Sequence, residues 1–154
     1  MPERQTLERA RRDAREGKAP STQAGEFVRE EMEHIREGKH GARSTKQAIA
    51  IGLSKARRAG VKLAAPQGAE VSPRTRTQAK RDLRRGSSAK PSAKRSRATL
   101  RALKKEGRSA ASHRALATQA KRAARKRSAS ARSEQAKRAA RTRRANRSSN
   151  GRSR

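Results

Sequence analysis

Between residues 65 and 154 this chain carries 29 Lys and Arg against four carboxylates, Glu70, Asp82, Glu106 and Glu134. A segment so one-sided repels itself unless a polyanion neutralises it. Residues 1–64 are closer to balance, with 15 Lys/Arg against nine Asp/Glu. Only 30% of the residues are apolar, alanine included, and Phe27 is the only aromatic. Low hydrophobicity with a net charge of +31 predicts a largely disordered or conditionally folded chain. Any core is expected to be small, since little apolar surface is available to offset the entropy of ordering.

Residues 23–63 look best able to fold. In the stretch EFVREEMEHIREG, Val28, Met32 and Ile35 recur at helical spacing with Phe27 beside them. Gly38 offers the stop. Ser44 and Gln47 then match a helix-start capping box, and Ile49, Ile51, Leu53 and Ala56 form a second stripe ending at Gly60. The expected structure is a helical hairpin that packs Phe27, Val28, Met32 and Ile35 against Ile49, Ile51 and Leu53. Its thin apolar stripe leaves a homodimer through residues 23–63 as an option. Residues 1–22 read as a basic amphipathic segment, with Leu7, Ala10 and Ala14 at helical spacing, followed by a linker over 17–22.

Residues 64–154 read as a low-complexity cationic tail. A near-repeat, TQAKRDLRRG (77–86), TQAKRAARKR (118–127) and EQAKRAARTR (134–143), recurs at irregular separations, so no solenoid is implied. Alanine, arginine and lysine favour helix, which predicts helical stretches near 76–85, 97–106, 112–127 and 132–145. With so few leucines these helices are expected to find no core and to order only against a polyanion. The fold class read from sequence is therefore mainly α: a small N-terminal helical hairpin followed by a long, largely disordered or conditionally helical Arg/Ala/Lys/Ser-rich tail.

The segment EGKHGARSTKQAIAIGLSKARRAG (37–60) resembles an uncharacterised family of small basic bacterial proteins with a KQAIAIGLSxARRAG motif. Matching positions include Gly38, Lys39, Ser44, Lys46, Gln47, Ile49, Ile51, Leu53, Ser54, Arg57 and Gly60. The resemblance implies a bacterial source and carries no activity. The tail, with AKPSAKRS (89–96), is similar in composition to histone H1-like proteins.

No catalytic residues are expected: an acid/base pair among Glu30, Glu31, Glu33 and Glu37 would need a desolvated pocket, and these carboxylates read as a solvated helix face. His34, His40 and His113 show no zinc-ligand spacing, the chain has no cysteine, and no cofactor or metal is expected. No apolar run approaches the length that spans a bilayer. Arg outnumbers Lys by 31 to 13, and guanidinium grips phosphate in a fork. The expected function is non-enzymatic, largely sequence-nonspecific binding of nucleic acid, double-stranded DNA foremost, by a cytoplasmic, nucleoid-associated protein. The expected phosphate contacts are Lys46, Lys55, Arg57 and Arg58 on the hairpin and Arg81, Arg84, Arg85, Arg122, Arg125, Arg138 and Arg141 on the tail; the alternative for the hairpin set is a core helix whose basic end complements its own dipole. If fully used, the tail's charge would neutralise roughly 40 Å of duplex, about a dozen base pairs. The alternatives are an RNA- or ribosome-associated basic protein, and a stress-related interaction adaptor with a polybasic anchor.

Overall fold

Leu7 and Ala10 give the first helix its inward stripe, and in the computed structural model, which describes residues 2–67, 71–86 and 92–151, that helix (α1, Arg4–Arg15) packs along the second. The second helix (α2) runs Pro20–Arg36, with proline in its first turn, where a missing N–H costs nothing. The linker expected over 17–22 is therefore shorter than the sequence suggests. Helix α2 ends at Gly38, whose φ of 81° lets Lys39 N–H reach back to the His34 carbonyl at 2.9 Å. Helix α3 (Thr45–Arg58) begins as expected, with Ser44 Oγ accepting from Gln47 N–H at 3.2 Å. The Gln47 side chain, however, accepts from Arg43 N–H rather than closing on Ser44. Gly60 (φ 95°) stops α3, and Val61 folds back so that its N–H meets the Ala56 carbonyl.

Helices α2 and α3 form the expected hairpin, but alanine does much of the filling. Among the described residues twelve apolar side chains are buried, and eight are alanine: Ala10, Ala24, Ala42, Ala48, Ala56, Ala79, Ala110 and Ala111. One cluster joins Met32, Ile35, Ala42, Ala48, Ala110 and Ala111, with Val28, Ile49 and Leu116 against it. A second joins Ala10, Ala24, Phe27, Ala56 and Val61, flanked by Leu7, Leu53, Ala59 and Leu63. Ile51 is half-buried and lies in neither. The backbones approach closely at Gly52, where an added methyl would stand 2.7 Å from Val28 Cα and 3.0 Å from the Phe27 carbonyl oxygen. Gly52→Ala is expected to push α2 and α3 apart and cost about 1–3 kcal/mol, as overpacked cores do. A urea midpoint equal to that of the parent would contradict this contact.

The tail is where the sequence expectation fails. Its described residues are not a long disordered extension but four helices and a 3-10 turn: α4 (Pro73–Arg85), α5 (Ala93–Lys104), the turn (Ser109–Ala111), α6 (His113–Arg125) and α7 (Ala129–Gly151). Two physical causes order these helices. Serines cap three of the helices: Ser72, Ser112 and Ser128 accept from the N–H groups of Thr75, Ala115 and Ala131 at 3.2 Å each. The other cause is docking by small residues. Ala79 is buried, and Asp82 on α4 accepts a 2.6 Å bond from Ser54 Oγ on α3. Further along, Ala110 and Ala111 complete the hairpin core. Their carbonyls accept from Thr45 Oγ1 at 2.7 Å and Arg36 Nε at 2.9 Å. The N–H groups of Gly41 and Ala42 bond to the Leu103 and Gly107 carbonyls. Counting only large side chains hid this core, because a methyl group suffices where backbones lie close.

Thr45→Val keeps the shape but removes the hydroxyl, leaving the Ala110 carbonyl short of a partner. A loss of about 1–3 kcal/mol is expected, read as a lower melting temperature. An unchanged melt would mean that the 3-10 turn does not dock there.

The chain divides into two compact units, Met1–Leu116 and Ala117–Arg154. The first contains both apolar clusters. The second holds the remainder of α6 and α7, and none of its described side chains is buried. Among the described residues no helix is long and apolar enough to cross a membrane. Residues 87–91, with Ala89, Lys90 and Pro91 of the histone-like stretch, lie outside the described residues.

Candidate nucleic-acid interface

The expected phosphate contacts separate into two groups. Arg81, Arg84 and Arg85 are exposed on α4, Arg122 and Arg125 on α6, and Arg138 and Arg141 on α7. Residues three apart on a helix stand on one face about a turn apart. The pairs Arg81/Arg84, Arg122/Arg125 and Arg138/Arg141 each have that spacing. Among the described residues no carboxylate pairs with any of these seven. Lys46, in the first turn of α3, is also exposed.

The other three hairpin residues are engaged inside the fold. Arg57 is 7% exposed and donates to the Leu63 and Ala64 carbonyls, each at 3.2 Å, tying down the segment after α3. Burial lowers its pKa, with the Asp82 carboxylate opposing the shift. Arg58 is half-buried and donates to the Ser54 carbonyl. Lys55 points between the helices, where its ammonium lies 2.6 Å from Glu31 Oε2 and 3.5 Å from Glu30 Oε1. The basic end of α3 thus serves the fold more than any ligand.

Lys55 belongs to a polar cluster that sequence reading missed. Glu30 and Glu31 do not lie on the solvated face expected for them but are fully buried side by side on α2. Glu30 Oε2 accepts from Glu3 N–H at the start of α1, while neither oxygen of Glu31 has a hydrogen-bond partner of acceptable geometry. Lys55 approaches Glu31 closely but off-angle. His34 stands one turn beyond Glu31, and His40, brought back by the turn at Gly38, sets its ring edge-on to that of His34 with centroids 6.1 Å apart. His40 Nε2 lies 3.4 Å from Glu31 Oε1, and its Nδ1 donates to the Gly41 carbonyl at 3.1 Å. Outside the cluster, Glu3 Oε1 meets His34 Nε2 at 2.7 Å and Lys39 Nζ at 3.1 Å. Hydrogen bonding from His34, then from Lys39, lowers the Glu3 pKa. Glu37 first and Glu3 second raise that of Lys39. The expectation that no histidine has a carboxylate or a second histidine at ligand spacing is thus corrected. The legible signal was Glu31-x-x-His34, one helical turn; the approach of His40 required the fold.

Ser72-Pro73-Arg74-Thr75-Arg76 forms the capped start of α4.

A family model described as a family of unknown function (DUF6496) matches residues 5–69, from α1 to just beyond α3, and the chain is similar to that family over this stretch. No curated protein and no solved structure matches the chain.

Proposed function

We propose that this chain is a non-enzymatic, largely sequence-nonspecific nucleic-acid binder, acting on duplex DNA by phosphate neutralisation in the manner of a nucleoid-associated or histone H1-like protein. The observation that carries the reading is the presentation of exposed arginine pairs, one turn apart, on α4, α6 and α7 without carboxylate partners among the described residues. Helices already formed present guanidinium forks to phosphate at a smaller entropic cost than a coil that must first order. Helix α7 spans 23 residues, about 34 Å, comparable with one turn of duplex, and carries seven Lys/Arg against Glu134. Phe27 supports duplex over single strands, since at 1% exposure it offers no surface on which a base could stack.

The hairpin's apolar stripe is covered within the chain by α1, Val61 and the Ala110–Ala111 turn, so a homodimer is not needed to bury it.

A mobility-shift titration with duplex DNA, single strands and structured RNA across a salt series tests the reading. Duplex binding that weakens steeply with salt and exceeds single-strand binding is the expected result. Binding of structured RNA alone would favour a ribosome-associated role, and binding of neither polymer at low salt would end the proposal.

A further inference from the structure

The geometry points to a metal site: Glu31, His34 and His40 form a ligand set for one divalent transition ion, zinc foremost. One donor atom from each residue lies within 4.8 Å of the others. Two ligands about 2.1 Å from a tetrahedral ion stand about 3.4 Å apart. That is the separation between His40 Nε2 and Glu31 Oε1. Because His40 Nδ1 donates to the Gly41 carbonyl, Nε2 is the ring nitrogen left to face Glu31 Oε1. An ion about 2.1 Å from both atoms fits between them.

Three further observations agree. Glu31 is wholly buried, and while Lys55 stands 2.6 Å from its Oε2, its Oε1 has no hydrogen-bond partner and faces His40. Two buried carboxylates, Glu30 and Glu31, share one ammonium, Lys55, which leaves negative charge uncompensated. Both rings also have the outer partners that orient metal-bound imidazoles: the Gly41 carbonyl for His40 and the Glu3 carboxylate for His34. Lys55 lies against Oε2, leaving Oε1 for the ion. A cleft of about 690 Å³ lined by His40, Lys39 and Glu106 borders the His40 side of the cluster, and three protein ligands leave one position to water. Imidazole with one carboxylate suits zinc better than magnesium or calcium.

Zn(II) added to the chelator-stripped full chain, followed through the imidazole nitrogen signals of its three histidines, tests the site. Binding of one ion per chain at about micromolar affinity or tighter is expected, with the His34 and His40 signals moving and His113 unmoved. His40→Gln should weaken binding by more than the roughly 10- to 100-fold that loss of an outer partner costs, while His113→Gln leaves it unchanged. The imidazole signals are read on the parent protein, so a variant that fails to fold does not blunt the test. Absence of stoichiometric binding, with His40 carrying protons on both nitrogens, would show that an imidazolium ion fills the gap and overturn the proposal. Equal movement of all three histidines would overturn it as well.

Discussion

Replacing Lys55 by methionine is expected to lower the stability of the chain by about 3–5 kcal/mol, the cost of leaving a buried charge without its partner. The side chain of Lys55 is 17% exposed, and both carboxylates it serves are essentially inaccessible. Methionine fills similar space, so the loss isolates the charge. Small domains are stable by roughly 5–15 kcal/mol, so a large part of the folded population is at stake. Urea denaturation followed by circular dichroism reads the effect as a displaced midpoint. Adding Glu31→Gln to Lys55→Met should recover much of the loss, because a neutral amide needs no counter-ion. The same variant tests the role given to this residue by composition alone: a phosphate contact would weaken DNA binding and leave the urea midpoint in place. A midpoint unmoved by Lys55→Met would mean that the Glu30–Glu31–Lys55 cluster is not closed from water.

A second large effect is expected from Arg122, Arg125, Arg138 and Arg141 replaced together by glutamine. Each phosphate contact contributes about 0.9 to the slope of log affinity against log salt on duplex DNA. Four lost contacts should flatten that slope by about 3.6 and weaken binding at 0.1 M salt on the order of a thousandfold. Glutamine is a good helix former, and these four side chains are exposed, so the urea midpoint should stay near that of the parent. Fluorescence anisotropy with a labelled duplex across a salt series measures both quantities. A slope equal to that of the parent would place the phosphate contacts elsewhere and remove α6 and α7 from the interface.

Local rules made much of the helical content legible. Ser44 with Gln47, the stops at Gly38 and Gly60, and the stripe of Val28, Met32 and Ile35 each depend on neighbours within a turn or two. The tail helices were also legible in position, since Ala, Arg and Lys favour helix wherever they run together. Their packing in the free chain was not legible. Ala79, Ala110 and Ala111 count for little on a hydropathy scale, yet they sit where backbones come close and the burial of one methyl completes a contact. No spacing rule tells a buried alanine from an exposed one.

The candidate sites divide along the same line. That arginines 81, 84, 85, 122, 125, 138 and 141 face solvent follows from their charge, because an unpaired guanidinium is costly to bury. By itself, then, the sequence determined where the chain turns helical and which long stretch stays cationic and wet, both consequences of interactions between near neighbours. Only the tertiary structure decided that Lys55 and Arg57 are spent inside the fold, and that Glu31, His34 and His40 meet. Those outcomes depend on the packing of α2 against α3 across Gly52 and on the turn at Gly38, which join atoms that spacing along the chain keeps apart.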